Sequence, residues 1–176
     1  MLSKLFVCIV LSFVLSSCGK KTEQDGKSEN AGLPGTKVGL VFDIGGRGDK
    51  SFNDAAYKGL EDAKKELGIE FEVIDPGDGA DRESALRRLA SKKEIGLIFG
   101  VGFIFTDDIN KIATEFSSKK FACIDYSVTP ASKIPDNVSA IEFKEEEGSF
   151  LIGALSALTS KTGKIGFIGG MESPLI

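Results

Sequence analysis

The chain has 176 residues, a formal net charge of −4 and no histidine. This mildly acidic balance provides no basic field for nucleic acid, so no nucleic-acid partner is expected. Without histidine the chain lacks the commonest general base and the commonest transition-metal ligand, and we therefore expect no metal site, no cofactor and no catalytic residues.

The first 17 residues have the pattern of a secretory signal. Lys4 is their only charge, and the apolar run 5–14 is followed by Leu-Ser-Ser-Cys18. This run is too short to cross a bilayer, which needs about 20 residues. We predict a signal peptide over 1–17 and a lipobox in which Cys18 becomes the lipidated N-terminus. The alternative is an ordinary signal peptide that is cut near an unmodified Cys18.

Residues 18–36 predict a flexible tether, because they are polar, rich in glycine and without apolar periodicity. Removing residues 1–17 leaves 21 Lys and Arg against 26 Asp and Glu, a net charge of −5. Cys123 is then the one cysteine besides the lipidated Cys18, so no intramolecular disulfide is expected. We predict that Cys123 is a buried, inert thiol. The protein is expected at the cell membrane, facing the periplasm or the cell exterior.

From residue 37 onward, apolar strands alternate with helical patterns. The predicted strands are 38–42, 71–74, 95–101, 121–124 and 138–143. Helical patterns follow the first three strands, and the second of these helices is capped by Asp81. Because the strands are apolar throughout, right-handed crossovers predict a parallel sheet that is covered on both faces. The fold class is therefore α/β, with a doubly wound parallel sheet.

The first helix is predicted over 51–67. Its apolar face carries six small or aliphatic residues: Ala55, Ala56, Gly59, Leu60, Ala63 and Leu67. Ser51, with Asp54 three residues later, predicts a capping box at the start of this helix. Gly68 predicts its C-terminal stop.

Polar residues follow the strands at the edge where a ligand is expected. Ligands of open parallel sheets bind beyond the carboxyl ends of the strands, near the switch in strand order. The first strand ends at Asp43, the third at Gly102 and the fourth at Asp125. We expect Asp43 and Asp125 to face one crevice. The alternative for each aspartate is a helix cap or a solvated loop residue.

Residues 43–54 read DIGGRGDKSFND and allow three interpretations. A phosphate-binding loop is excluded, because neither the P-loop spacing nor G-x-G-x-x-G is present. The Arg-Gly-Asp motif at 47–49 is typical of receptor ligands, but its glycines have a sufficient use in a tight turn. The third interpretation is an uncharged ligand with hydroxyls and a planar ring. Phe52 would stack on that ring, and Asn53 offers a donor and an acceptor.

The same residues carry a family resemblance. The stretch 43–53 resembles the opening of the basic membrane protein family of bacterial lipoproteins. This family includes the purine nucleoside receptor type and other substrate-binding proteins of ABC transporters. The resemblance extends through FACID, EGSFLIG and GFIGGM, and so over nearly everything after the tether. By resemblance, Phe52 is the stacking ring, and Asp43, Asn53 and Asp125 are polar contacts to a nucleoside.

The resemblance also implies a type I periplasmic-binding fold, in which two α/β lobes close on the ligand. Residues 37–143 would form the first lobe, and 144–176 an incomplete start of the second. Within that start, 164–169 is similar to the first strand of the second lobe, and the apolar helix 150–158 is suited to burial. The aromatic partner and the ribose-binding acid of the second lobe have no counterpart here. We therefore expect either a fragment or a truncated gene.

The sequence thus predicts a non-enzymatic, lipid-anchored substrate-binding protein. It would bind purine nucleosides for uptake through an ABC transporter permease. Two alternatives stay open. An enzyme is the first, although acids are present without a nucleophile–base pair or a metal cluster. A surface adhesin, antigen or other interaction lipoprotein is the second.

Overall fold

The computed structural model describes residues 37–129, 131–172 and 176. The predicted signal peptide, Cys18 and the tether up to residue 36 lie outside these residues. The described strands are β1 (Lys37–Val41), β2 (Glu70–Ile74), β3 (Ile95–Val101), β4 (Lys120–Ile124) and β5 (Val138–Ile141). The described helices are α1 (Phe52–Leu67), α2 (Arg82–Ala90), α3 (Thr106–Glu115) and α4 (Glu145–Thr159), and a short 3-10 turn, Phe103–Phe105, precedes α3.

All strand pairs are parallel, and the strand order is β2-β1-β3-β4-β5. The chain moves from β1 to β2 in one direction, then crosses back to β3 and continues the other way. The predicted doubly wound α/β sheet is therefore confirmed. The switch in strand order lies between β1 and β3, so the carboxyl ends of these two strands flank the expected crevice.

Helices cover the two faces of the sheet unequally. On one face, α2 and α3 pack over a continuous apolar core. Its largest members are Leu86, Leu89, Ile98, Phe105, Ile109, Ile112, Phe121 and Tyr126. On the other face, a smaller cluster joins Leu60 of α1 to β1 and β3. Its members are Val38, Leu40, Phe42, Leu60 and Val101.

The predicted apolar stripe of α1 is only partly buried. Leu60 is buried, whereas Ala55, Gly59 and Leu67 are exposed. The reason is that α1 is the one helix on its face of the sheet among the described residues. An apolar groove of about 410 Å³ therefore stays open between α1 and strands β1 and β3.

The predicted capping box at α1 is wrong in one respect. Ser51 makes no side-chain cap hydrogen bond. The Asp49 carboxylate does so instead: it accepts the backbone N–H groups of Ser51 at 3.0 Å, Asn53 at 2.8 Å and Asp54 at 3.1 Å. A carboxylate has enough acceptor sites for three donors, which a single hydroxyl does not.

The predictions for two other helix ends have different outcomes. Gly68 ends α1 in the left-handed conformation, with φ 68°, as predicted. Asp81 is the N-cap residue of α2, as predicted, and its carbonyl accepts the Ala85 N–H at 2.8 Å, but its side chain makes no cap hydrogen bond.

The last segment differs most from the sequence-based expectation. α4 forms as predicted, but its apolar residues are exposed, and Leu158 reaches 86%. Residues 164–169 form no strand, because no neighbouring strand in the described part of the chain satisfies their backbone groups. Among the described helices, none is long and apolar enough to span a membrane.

Candidate ligand-binding crevice

Asp43 lies in a tight turn directly after the first strand. Its Oδ1 accepts the Ile44 N–H at 2.7 Å, and its carbonyl accepts the Gly46 N–H at 3.1 Å. Burial raises the pKa of Asp43, whereas the Ile44 hydrogen bond and the positive charge of Arg82 lower it. The carboxyl group is therefore fixed at the strand end as an acceptor, with only part of its surface in water.

The backbone after β3 passes directly over Asp43. Gly102 has φ 104°, and a Cβ there would lie 2.5 Å from Oδ2 of Asp43. The Gly102 N–H donates to the Ile124 carbonyl at 2.9 Å, which ties this loop to β4. Only glycine allows the carboxylate and the loop to approach so closely.

Asn53 joins the first turn to α1. It is 2% exposed, and its Oδ1 accepts the Asp43 N–H at 2.9 Å. The sequence analysis predicts a direct ligand contact for Asn53, and the structure shows that its Oδ1 supports the Asp43 turn. Its Nδ2 makes no hydrogen bond within the described part of the chain.

Asp125 follows β4 and has a left-handed backbone with φ 66°. Burial is the main cause that raises its pKa to about 6, and the neighbouring carboxyl groups of Glu145 and Asp43 raise it further. The structure therefore brings Asp43 and Asp125 together at one edge, as expected from the topology. Left-handed backbone at a residue other than glycine is rare and clusters at functional sites.

Phe52 is the first residue of α1. It is half-buried, and it packs against the cluster that contains Phe42 and Leu60. The sequence analysis expected the core of this helix to begin at Ala55, but Ala55 is exposed. Phe52 therefore packs against the core, and only the exposed part of its ring could stack on a ligand.

Cys123 is fully buried, as predicted. Burial, with the nearby carboxylates of Asp125 and Asp43, raises the pKa of its thiol to about 12. A thiol with this pKa stays protonated at neutral pH and is a poor nucleophile. No group of three or more potential ligand side chains is placed to hold a metal ion in the described residues.

The charged residues of the Arg-Gly-Asp motif make contacts within the protein. The Arg47 guanidinium lies 3.6 Å from the centre of the Tyr57 ring, and its Nε donates to Asp54 at 2.8 Å. Asp49 caps α1, and the three backbone hydrogen bonds that it accepts lower its pKa. A receptor would have to compete with these internal contacts, although both residues are exposed.

Two residues near the crevice were missed by the sequence analysis. Asp75 directly follows β2, and its carboxylate lies so close to Gly46 that a Cβ there would overlap it. Arg82 begins α2 and is the cation that acts on Asp43. Both residues come from the β2–α2 unit. Asp75 could have been identified from the sequence because, like Asp43 and Asp125, it follows a strand.

A separate polar cavity of about 510 Å³ lies beside the crevice, between α3 and the loop after β4. Its lining includes Thr106, Asn110, Tyr126 and Lys133. Tyr126 and Asn110 already hydrogen-bond each other, at 2.7 Å and 3.1 Å. The cavity lining does not include any of the four predicted ligand-binding residues.

A family model described as ABC transporter substrate-binding protein PnrA-like matches residues 36–176. The chain belongs to this family. The description of the PnrA-like family names a substrate-binding role.

Curated relatives agree with the PnrA-like assignment. An uncharacterized lipoprotein of Pyrococcus abyssi is 38% identical over 169 residues, which cover 94% of this chain and 40% of the relative. The CD4+ T-cell-stimulating antigen of Listeria innocua is 30% identical, with 98% and 48% covered. Basic membrane protein A of Borreliella burgdorferi is 36% identical, with 99% and 49% covered. The chain spans less than half the length of these relatives.

Solved structures support the same fold. An ABC transporter solute-binding protein from Aeropyrum pernix K1 is 34% identical with a TM-score of 0.60, and the match covers 70% of this chain and 35% of that one. A lipoprotein fragment from Peptoclostridium difficile 630 is 24% identical with a TM-score of 0.54, covering 71% of this chain and 99% of that one. The second likeness concerns the fold alone.

Proposed function

We propose that this chain supplies the first-lobe half of a purine nucleoside site in a lipid-anchored ABC transporter substrate-binding protein. The observation that carries the proposal is the convergence of Asp43 and Asp125 at the strand-order switch, beside Phe52 and Asn53. Ionised carboxyl groups accept hydrogen bonds from ribose hydroxyls or ring N–H groups, and the exposed part of Phe52 offers a stacking surface. Membership in a substrate-binding family supports this assignment over an enzyme.

The proposed partners follow from this role. An ABC transporter permease would receive the nucleoside, and the acyl chains on Cys18 would hold the protein at the membrane. Several relatives are named lipoproteins or basic membrane proteins, which supports the anchor. Cys18→Ala is expected to move the protein from the membrane fraction to the soluble fraction. Continued membrane partitioning of this variant would contradict the lipid anchor.

The surface-adhesin alternative has weaker support. Arg47 and Asp49 are both held by internal contacts, so the Arg-Gly-Asp motif is not presented as a free loop. Matrix binding that is lost in Asp49→Glu would favour this alternative. Nucleoside turnover would favour an enzyme.

The test of the proposed function is a titration of the soluble protein with inosine, monitored by NMR. We expect the signals of Asp43, Asn53 and Asp125 to shift with stoichiometric binding and without turnover. Asp43→Asn replaces a charged acceptor by a neutral one and should weaken binding about fivefold to tenfold. Asp136→Asn, at an exposed loop position, is the control. Absence of any shift at millimolar inosine would contradict the proposal.

A further inference from the structure

The loop between β2 and α2 packs against the turn that carries Asp43. A Cβ at Gly46, in that turn, would overlap the carboxylate of Asp75. A Cβ at Gly79, in the β2–α2 loop, would lie 2.9 Å from Cγ1 of Ile44. Both contacts join two loops that are distant in sequence, and each needs a glycine at the point of approach. The position of the Asp43 turn therefore depends on the position of the β2–α2 loop.

Arg82 fixes that loop from the start of α2. Its Nη1 donates to the Gly79 carbonyl at 2.7 Å, and its Nε donates to Oδ2 of Asp108 at 3.2 Å. The side chains of Arg82 and Asp108 are 30% and 22% exposed, so water screens this ion pair less than a fully exposed one. Asp108 lies in the first turn of α3. Arg82 thus connects the β2–α2 loop to the start of α3.

The positive charge of Arg82 also acts on the crevice. Burial raises the pKa of Asp43, and Arg82 opposes this increase together with the Ile44 N–H. The other ionisable groups that interact with Asp43 are Asp125 and Cys123, and Asp43 raises the pKa of each. Arg82 is therefore the cation that acts on the Asp43 carboxyl group, whereas no cation acts on Asp125 in the described part of the chain.

We propose that Arg82 is a positioning residue for the ligand crevice, which holds the Asp43 turn in place through the β2–α2 loop and supplies a positive charge that acts on the Asp43 carboxyl group. The consequence for the ligand rests on the proposed function, whereas the effect on Asp43 does not. Both hydrogen bonds of Arg82 are internal, so it acts through Asp43 and not by direct contact. A charged acceptor forms a stronger hydrogen bond than a neutral one, and a fixed acceptor loses less entropy on binding.

Three substitutions separate the charge of Arg82 from its mechanical support. Arg82→Gln removes the charge and keeps donors for Gly79 and Asp108. Arg82→Met also removes the charge and keeps the apolar stem. It replaces Arg82→Gln in the measurements if that variant does not fold. Arg82→Lys keeps the charge but loses the planar fork. Arg87→Gln is the matched control, since Arg87 forms an exposed ion pair with Glu115 of α3.

The first measurement is an NMR titration of the Asp43 carboxyl carbon in the ligand-free protein. We expect Arg82→Gln or Arg82→Met to raise the pKa of Asp43 above that of the wild type. Arg82→Lys and Arg87→Gln are expected to leave it unchanged. An unchanged pKa in a folded, charge-free variant would overturn the proposal, and so would an equal increase in Arg82→Lys.

The second measurement uses inosine as the probe. At neutral pH, Arg82→Gln is expected to weaken binding about threefold, because a less firmly held acceptor loses more entropy when the ligand binds. The difference from the wild type should grow as the pH falls into the range where more of the Asp43 carboxyl is protonated in the variant than in the wild type. Equal inosine affinity in Arg82→Gln and the wild type would overturn the role in binding. If the wild type itself does not bind inosine, the proposed function fails, while the Asp43 titration still decides the role of Arg82.

Discussion

Asp125 combines two features that reduce stability. Its left-handed backbone, with φ 66°, is unfavourable for a residue other than glycine, although aspartate and asparagine tolerate it best. Its carboxyl group is partly buried beside Asp43 and Glu145, and its pKa is raised to about 6. A side chain placed in this way is poorly suited to holding the fold together. It is well suited to meeting a ligand that offers hydrogen-bond donors.

This combination predicts the effect of pH on stability. The pKa of Asp125 rises from 3.8 to about 6 on folding, so the folded state binds more protons between these values. The contribution of the group to stability is present below pH 3.8 and lost as the pH rises through about 6. Asp125→Asn is therefore expected to be more stable than the wild type near neutral pH, and the difference should vanish in acid.

Urea unfolding at a series of pH values measures this difference. Asparagine also tolerates the left-handed backbone, so the substitution isolates the charge. Asp136→Asn, at an exposed position, is the control and should show no such pH dependence. A loss of stability at neutral pH in Asp125→Asn would show that the carboxylate has a stabilising partner instead.

Phe52 serves both packing and stacking, and two substitutions distinguish these roles. Phe52→Ala removes the ring and should weaken nucleoside binding by about 1–3 kcal/mol, the usual contribution of base–aromatic stacking. It should also reduce stability, because the ring packs against the cluster with Phe42. Phe52→Leu keeps most of the packing but no planar face. If calorimetry shows wild-type affinity in Phe52→Leu, the stacking role is excluded.

At the scale of elements, the start of α1 depends on Asp49, which lies in the preceding turn and caps the helix. Asp49 accepts three backbone N–H groups, and these hydrogen bonds lower its pKa. Its contribution to stability is therefore present above its ordinary pKa and lost as the pH falls through the lowered value. Asp49→Ala is expected to lower the Tm by several degrees at neutral pH. Ser51→Ala, which removes no cap hydrogen bond, should leave the Tm nearly unchanged.

A thermal melt of the two variants at neutral and acid pH compares them directly. The difference in Tm between Asp49→Ala and the wild type should shrink in acid, because protonation of the wild-type carboxylate weakens the same three hydrogen bonds. A larger loss of Tm in Ser51→Ala than in Asp49→Ala would show that α1 is capped by Ser51, as the sequence predicts, and not by Asp49.

The strands were predictable because each apolar run ends where a polar turn begins. The strand Ile95–Val101 was predicted with its exact bounds, and the other strand ends differ by two residues or fewer. The shared edge of Asp43 and Asp125 was predictable from topology alone, since parallel strands end on the same side of the sheet. The ligand-binding roles of Phe52 and Asn53 stay predictions.

Other features could not be predicted, for physical reasons. The contact of Arg82 with Asp108 joins two separate βα units, and no local pattern encodes such a contact. Periodicity identified the apolar face of α1 but not whether a second element covers it. For the same reason, the apolar character of α4 predicted burial, whereas the helix is exposed among the described residues.

At the scale of the whole molecule, two apolar surfaces are uncovered in the described residues. One is the groove beside α1, and the other is the exposed stripe of α4, which comprises Phe150, Leu151, Leu155 and Leu158. Large exposed apolar surfaces promote association. A site made from one lobe would also leave its ligand partly in water, because closure of two lobes excludes the solvent.

We therefore expect residues 19–176 to bind inosine at least about a thousandfold more weakly than a two-lobe form, and to dimerise or aggregate. The comparison is a chimera in which the part of the Pyrococcus abyssi lipoprotein that lies beyond its match to this chain follows residue 176. Calorimetry and sedimentation on the two proteins measure affinity and association together. A monomeric 19–176 protein with the affinity of the chimera would show that one lobe suffices.

The sheet is built from the continuous stretch 37–141, with no strand borrowed from elsewhere in the described chain. This continuity sets an order of events for a chain exported with its N-terminus first. Asp43 and Phe52 would leave the translocon early, Asp125 later, and β5, the last described strand of the sheet, soon after. Domains generally fold as units as the chain is delivered, so these five strands could pair while later residues are still being threaded. For a chain secreted in the way that the proposed lipid anchor requires, the first-lobe side of the crevice would then take shape during secretion itself.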